Sequence, residues 1–217
     1  MMSENPIEKI GQIRRELFDQ GPDFERENGD FHRVSLPSRD CDVLRDFVGQ
    51  SGATRAIEIG LAYGASALAI AEGLASTSIE HEYVILDPFQ DLFHDVGWRL
   101  ISNAGLEQST KLIRKRSQFA LPELIVEGQT ADIAFVDGSH FFHNVLMDLT
   151  YLEELVVFNG LIILDDLQHL SVAKAAAYFV ANRGWTEVSM RSSETRLKAF
   201  RLPDRRMKSS FEDFVEF

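Results

Sequence analysis

Acidic residues stand at or just beyond the ends of four short apolar segments of the chain. They are Glu58, Asp87, Asp137 and Asp165, and Asp166 follows the last of them directly. Any one of these acids alone is more typical of a helix cap. Carboxylates gathered at one edge of a sheet, however, repel one another unless a cation neutralises them. As a set on neighbouring parallel strands, the acids predict a cationic ligand, a metal ion, or both.

The segment 56–66 reads A-I-E-I-G-L-A-Y-G-A-S and predicts a strand, a glycine turn and the start of a helix. Such a turn brings backbone N–H groups close to a ligand. A dinucleotide fingerprint would read G-x-G-x-x-G, whereas here Ala62 stands between Gly60 and Gly64. A pyrophosphate would also meet Glu58 as a like charge. The turn therefore disfavours a nicotinamide cofactor and suits S-adenosylmethionine, which carries a sulfonium and an ammonium group.

Asp87 lies at the end of the second apolar segment, 27 positions beyond Gly60. This is where an acid reaches ribose hydroxyls in nucleotide-binding folds. The position of Asp87 predicts an adenosyl cofactor but does not distinguish a nicotinamide cofactor from other adenosyl cofactors.

Strands and helices alternate through most of the chain, as hydrophobic periodicity indicates. Strands are expected at 55–59, 82–86, 111–114, 132–136 and 161–164. Helices are expected at 7–20, 38–50, 65–74, 90–104, 120–127, 142–157 and 172–181. Two last strands, 185–190 and 196–202, have no helix between them and predict an antiparallel pair. The whole predicts a doubly wound, Rossmann-like α/β fold with a mostly parallel seven-stranded sheet, helices on both faces and a C-terminal antiparallel hairpin.

Three parts are expected along the chain. Residues 1–37 form an N-terminal helix and loop that serves as a substrate lid or dimer contact, and residues 38–202 form the main domain. Residues 203–217 form a charged tail whose aromatic residues Phe211, Phe214 and Phe217 could dock on a partner subunit. The apolar N-terminal helix and this tail make a homodimer plausible.

Composition narrows the classes of partner. The formal net charge of −12 disfavours nucleic acid and anionic membrane surfaces. Cys41 is the only cysteine, which excludes an intrachain disulfide and disfavours a cysteine-based zinc site. The N-terminus has no secretory signal pattern, and no apolar run is long enough to span a bilayer. A cytoplasmic protein is expected.

The ordered motifs resemble those of class I S-adenosylmethionine-dependent methyltransferases. E-I-G-L-A-Y-G-A-S resembles the first motif of that superfamily, E/D-x-G-x-x-x-G-x-S. The resemblance continues through Y-V-I-L-D-P-F, A-D-I-A-F-V-D-G-S-H and G-L-I-I-L-D-D, and covers residues 38–202. The most similar subgroup is that of small O-methyltransferase-like proteins with D-G-S-H after the fourth strand.

The resemblance implies a role for each matching residue in cofactor binding. The set is Glu58, Gly60, Ala62 and Gly64 along the methionine part, Ser66 at its carboxylate, Asp87 at the ribose, Phe89 and Ser117 near the adenine, and Asp137 beside the methyl donor.

Catechol-type relatives bind a divalent metal through acids after the fourth and fifth strands, and the matching positions here are Asp137, Asp165 and Asp166. Such oxygen ligands suit Mg²⁺, Ca²⁺ or Mn²⁺. His140 stands where those relatives carry a lysine, and with Asp137 it is the catalytic candidate. A loop histidine that bonds nearby backbone is the alternative for His140.

The expected function is methylation of a small-molecule hydroxyl with help from a metal. Three alternatives stay open. The first is metal-independent O- or N-methyl transfer assisted by His140 or Asp137, and the second is an S-adenosylmethionine-binding protein without turnover. A nicotinamide-dependent oxidoreductase is the third, and the glycine turn disfavours it.

Overall fold

The computed structural model describes residues 5–25, 29–78, 80–190, 195–205 and 212–217. Phe211 and parts of the predicted N-terminal appendage and tail lie outside the described residues. The helices are α1 (Pro6–Gln20), α2 (Phe31–Val34), α3 (Ser38–Ser51), α4 (Ala65–Thr77), α5 (Val96–Asn103), α6 (Ser117–Val126), α7 (Phe142–Leu155) and α8 (Leu170–Arg183). Among the described residues, none of the helices has the length and apolar character needed to cross a bilayer.

The strands are β1 (Arg55–Ile59), β2 (Glu82–Leu86), β3 (Thr110–Ile113), β4 (Ala131–Val136), β5 (Val156–Leu164), β6 (Thr186–Val188) and β7 (Lys198–Arg201). Their order in the sheet is β3-β2-β1-β4-β5-β7-β6. β1, β2 and β3 pair in parallel, as do β4 and β5, whereas β7 is antiparallel to both β5 and β6. The predicted mostly parallel, Rossmann-like sheet with antiparallel strands at its C-terminal end is confirmed.

Three elements differ from the sequence-based assignment. The helix expected at 90–104 is a short 3₁₀ helix (Gln90–Phe93) followed by α5, because His94 and Asp95 between them take left-handed backbone angles. β5 begins at Val156, directly after α7. Val156 to Phe158 continue the spacing of apolar residues of the preceding helix, which favours a helix. Their β-branched and aromatic side chains favour a strand, and a strand is what they form. The third difference is α2, which lies inside the expected loop.

The chain forms two compact units, Met1–Arg116 and Ser117–Phe217, and each is described by itself. In the first unit α1 and α3 pack on α4, whose residues from Ala65 to Leu74 are all buried. Arg14 of α1 is buried and donates to Glu72 of α4 at 3.0 Å and to Asp42 of α3 at 2.8 Å. These ion pairs fix α1 within its unit. A role for residues 1–37 as a lid or dimer contact stays a prediction.

In the second unit the C-terminal tail docks on α8. Asn182 exchanges two hydrogen bonds with the backbone of Val215, and Lys174 donates to the carbonyl oxygen of Phe217 at 2.9 Å. Tyr178 adds ring contacts with Phe214 and Phe217. The tail residues that the structure describes here thus contact their own chain, while Phe214 keeps 61% of its surface exposed.

Candidate functional site

The glycine turn between β1 and α4 has the backbone conformation that its residues predict. Gly60 and Gly64 have φ values of 101° and 86°, in the region where glycine alone is free of strain. Ala62 also takes a positive φ, 44°, which costs a non-glycine residue about 1 kcal/mol. Since α4 begins directly after Gly64, the turn presents the N–H groups of a helix N-terminus. Such a cradle fits the carboxylate of an amino-acid ligand.

Asp87 clamps this turn from the end of β2. Its Oδ2 accepts hydrogen bonds from the backbone N–H groups of Leu61 and Ala62, at 3.0 and 2.9 Å. Oδ2 also accepts from Gln90, and Oδ1 accepts from the backbone N–H of Phe89. Three of these four donors share Oδ2 and one binds Oδ1, and the residue is 4% exposed. Asp87 therefore organises the turn, and its contact with a ribose stays a prediction.

Glu58 is completely buried beneath the same turn. Its Oε1 accepts from the Ser66 hydroxyl at 2.5 Å, and its Oε2 accepts from the Tyr83 hydroxyl. The carboxylate has no exposed surface, and its predicted place along the methionine part of a cofactor stays a prediction. The Ser66 hydroxyl donates to this anionic acceptor, and its predicted contact with a cofactor carboxylate also stays a prediction. Glu58 and Ser66 thus support the turn from below.

Gly97 of α5 allows the turn and the helix to approach each other closely. A Cβ on Gly97 would lie 2.7 Å from the carbonyl oxygen of Ala62, and one on Gly64 would lie 3.0 Å from the Cα of Gly97. Phe89, predicted near the adenine, lies beside this region with 49% of its surface exposed. An exposed ring at this position is available for stacking on an aromatic base.

Asp137, Asp165 and Asp166 converge in the second unit, where the sequence predicted a metal site. Their carboxylate oxygens lie within 4.8 Å of one another. Asp137 follows β4, and the other two follow β5, the strand that pairs with β4 in parallel. Three converging carboxylates are the donor set that Mg²⁺, Mn²⁺ or Ca²⁺ prefers, so the residues fit such an ion. The predicted gathering of all four strand-end acids on one rim stays a prediction.

Basic side chains already contact two of these acids. Arg196 donates to Oδ2 of Asp165 through Nε at 3.0 Å and through Nη2 at 2.5 Å. The Nε2 atom of His140 lies 2.7 Å from Oδ2 of Asp166. Gln168 donates to the other oxygen of Asp166, which itself takes a left-handed φ of 62°. The side chains of Asp165 and Asp166 are therefore held in place by Arg196, His140 and Gln168.

His140 is fixed by contacts on both sides. Ser171 donates to its carbonyl oxygen at 2.6 Å, and its ring stacks on His169 with the centroids 5.0 Å apart. His169 thereby joins His140 and Asp166 in a second group that could hold a metal. The bond from Ser171 fixes the backbone of this loop, and the contact with Asp166 orients the imidazole as a catalytic base requires. The catalytic role of His140 and the loop-histidine alternative both stay predictions.

The network shifts the pKa values of its members. The hydrogen bond from His140 holds the pKa of Asp166 below its usual value, and the same bond raises the pKa of His140. Burial raises the pKa of Asp165, and Arg196 opposes that rise. Burial, with added repulsion from Asp165 and Asp166, raises the pKa of Asp137 to about 7. The Asp137 carboxyl can therefore take up or release a proton near neutral pH.

Ser117 is the first residue of α6 and is partly buried. The structure places it near Asp148 of α7, whose pKa the Ser117 hydroxyl lowers against a larger effect of burial. Its predicted contact with the adenine end of a cofactor stays a prediction.

Sequence reasoning missed three residues of these networks. Gln90 stands three positions beyond Asp87, at the start of the 3₁₀ helix, and this short separation could have linked the two. Tyr83 lies on β2 in register beside Ala56 of β1, which only the strand pairing reveals. Arg196 is distant in sequence from Asp165 and is brought to it because β7 pairs with β5. No local pattern could have identified it.

Comparison with known proteins gives one family match and several structural ones. A family model described as a methyltransferase domain matches residues 57–167. A comparison with curated protein sequences gives no match.

Solved methyltransferases have the same fold over nearly the full chain. The O-methyltransferase TomG from Streptomyces achromogenes, solved with SAM, has a TM-score of 0.68 at 16% identity, covering 93% of this chain and 91% of that one. An O-methyltransferase from Bacillus cereus in complex with SAH has a TM-score of 0.63 at 16% identity, with coverage of 93% and 92%. A SAH-bound methyltransferase from Podospora anserina has a TM-score of 0.66 at 17% identity, with coverage of 94% and 89%.

Proposed function

Because the chain belongs to the methyltransferase-domain family, we propose that it transfers the methyl group of S-adenosylmethionine to a hydroxyl of a small molecule. The observation that carries this proposal is the orientation of His140 by Asp166, at 2.7 Å, beside the carboxylates of Asp137 and Asp165. Two structures of the same fold are described as O-methyltransferases, which supports a hydroxyl acceptor.

The cofactor role falls to the first unit. Asp87 and Gln90 hold the glycine turn so that the N–H groups at the start of α4 face the amino-acid part of the donor. Glu58 places a buried negative charge beneath that turn, which favours a ligand with positive groups. Phe89 offers its exposed ring to the adenine.

Proton transfer falls to His140. S-adenosylmethionine supplies an electrophilic methyl group when bound, so the chain must orient an acceptor and remove its proton. The carboxylate of Asp166 fixes the imidazole of His140 and raises its pKa, which makes the neutral imidazole a stronger base. Asp137 lies in the same cluster and assists as a second proton acceptor.

A divalent ion is the remaining part of the proposal. Asp137, Asp165 and Asp166 would hold it through carboxylate oxygens, and it would lower the pKa of a substrate hydroxyl. Metal-independent transfer is the second candidate, and the ion pair between Arg196 and Asp165 favours it, since a guanidinium already neutralises one of the ligands.

A methyl-transfer assay tests the proposal. The protein is incubated with S-adenosylmethionine and a panel of hydroxylated acceptors, and S-adenosylhomocysteine is measured with and without chelator. We expect turnover, and we expect His140→Gln to lower kcat by about 10²- to 10⁴-fold through loss of a general base. His143→Gln, which changes an exposed histidine near the start of α7, is the matched control and should leave kcat unchanged.

The outcomes separate the alternatives. Activity that survives chelation removes the metal and leaves the metal-independent candidate. Absence of turnover across the panel, with S-adenosylmethionine still bound, favours a binding protein and contradicts the proposed enzyme. Equal kcat values for His140→Gln and the wild type would remove His140 from the chemistry.

A small-molecule substrate, a cytoplasmic location and a homodimer complete the proposal. The net charge of −12 supports a partner other than nucleic acid or an anionic membrane. For the homodimer, Ile10 and Leu17 of α1 are buried within the first unit and are not available to a partner. The exposed Phe214 and Val215 of the tail remain as the apolar contact. Sedimentation velocity would distinguish a dimer from a monomer.

A further inference from the structure

Arg196 occupies the acid cluster as a cation supplied by the chain itself. Its Nε and Nη2 both donate to Oδ2 of Asp165, at 3.0 and 2.5 Å. The Asp165 side chain is fully buried, and its other oxygen accepts the backbone N–H of Asp166 at 2.7 Å. Both oxygens of Asp165 thus have partners, and one of them is held by two donors of a guanidinium.

Asp166 also has a protein partner on each of its oxygens. Asp166 receives His140 on one oxygen and Gln168 on the other. A divalent ion bound to Asp137, Asp165 and Asp166 would need a lone pair from each of them. The lone pairs of Oδ2 of Asp165 point at the guanidinium, and an ion placed there would also meet Arg196 as a like charge.

We propose that Arg196 is the resident counter-ion of Asp165, and that a divalent cation binds the three carboxylates only by displacing the Arg196 guanidinium. This inference rests on the metal part of the proposed function. Arg196 has room to leave, because 34% of its side chain is exposed and it lies two residues before β7 rather than within it. Arg196 therefore lowers the affinity of the three carboxylates for every divalent ion. Only an ion that binds the carboxylates strongly displaces the guanidinium.

The competition with Arg196 acts on every divalent ion alike, so the choice among ions follows from their own coordination chemistry. Mn²⁺ binds oxygen and nitrogen sites of a given geometry at least as well as the harder Mg²⁺, and it tolerates less regular coordination. An ion that displaces the guanidinium must make up for the lost free energy of a charge-assisted contact with two donors. We therefore expect Mn²⁺ to bind the wild-type protein more tightly than Mg²⁺ does.

Direct Mn²⁺ binding by the full chain, measured by electron paramagnetic resonance, tests the inference without any methyl transfer. Arg196→Gln should bind Mn²⁺ about ten- to a hundredfold more tightly than the wild type, the range over which partners of metal ligands act. Lys198→Gln is the matched control. It removes one positive charge two residues away, from a lysine paired with Glu187, and should leave the affinity within about twofold of wild type.

Two further variants control for a folding defect and show whether the ion binds at Asp165. Arg196→Lys keeps the charge but loses the two-donor fork, so Asp165 is not left unpaired and an intermediate affinity is expected. Adding Asp165→Asn to Arg196→Gln should abolish the gain. The inference is overturned if Arg196→Gln and Arg196→Lys bind Mn²⁺ no more tightly than the wild type, or if the double variant keeps the gain. Failure of the methyl-transfer assay would leave these binding results unaffected.

Discussion

At the scale of single residues, burial decides how the acids of this chain behave. Asp148 of α7 is 1% exposed, and burial raises its pKa to about 6, against a smaller opposite effect of the Ser117 hydroxyl. In an unfolded chain an aspartate has a pKa of about 3.9. The folded state therefore holds the proton of Asp148 more tightly than the unfolded state does.

This difference predicts a pH dependence of stability. The contribution of Asp148 is fully present below the unfolded pKa and is lost as the pH rises through about 6, with a total of roughly 3 kcal/mol as an upper bound. Asp148→Asn should remove this loss, so that the free energies of unfolding of the variant and the wild type diverge between pH 4 and pH 8. Urea unfolding across that range measures the divergence.

The control for that experiment is Asp213→Asn, which changes an exposed carboxylate of the tail. Its unfolding free energy should follow the wild-type curve at every pH. If the curve of Asp148→Asn also runs parallel to that of the wild type, the account of Asp148 is wrong.

At the scale of elements, the glycine turn depends on α5 as much as on β1 and α4. Gly97 lets the α5 backbone approach the turn, and Asp87 with Gln90 fixes the turn from β2 and the 3₁₀ helix. Every one of these contacts lies within the first unit. The close approach of α5 to the turn thus requires that residue 97 has only a hydrogen atom as its side chain.

Gly97→Ala should weaken S-adenosylmethionine binding while the fold persists. The added Cβ would lie 2.7 Å from the carbonyl oxygen of Ala62 and 2.9 Å from Cγ of Leu61, so the turn must move. Overpacking of this kind costs about 1–3 kcal/mol, which corresponds to roughly a tenfold loss of affinity or more if the cost falls on the bound turn. Isothermal titration calorimetry measures the change.

Asn103→Ala, at an exposed position of the same helix, is the matched control and should bind S-adenosylmethionine as the wild type does. Wild-type affinity in Gly97→Ala, with an unchanged circular dichroism spectrum, would show that the turn does not depend on this approach.

At the scale of the whole molecule, hydrophobic periodicity was sufficient to predict the fold, and the ordered motifs were sufficient to predict the family. The strands of the parallel sheet and the antiparallel end were predicted because buried strands and amphipathic helices leave distinct periods. The family match confirms the resemblance to methyltransferases that the motifs indicated. The D-G-S-H subgroup stays a prediction.

The contacts that organise the site were beyond the sequence for physical reasons. Tyr83 reaches Glu58 across a strand pairing, and Arg196 reaches Asp165 through β7, so neither contact has a local pattern. The carboxylates of Asp137, Asp165 and Asp166 converge, and their role in a metal site stays a prediction. Glu58 and Asp87 accept hydrogen bonds from the turn and its neighbours, and their contacts with a cofactor also stay predictions.

Calorimetric titration of the protein with S-adenosylmethionine and, separately, with NADH tests the central claim most directly. The acidic support of the glycine turn predicts saturable binding of S-adenosylmethionine and no binding of NADH, whose pyrophosphate would face a like charge. Saturable NADH binding without S-adenosylmethionine binding would contradict the account.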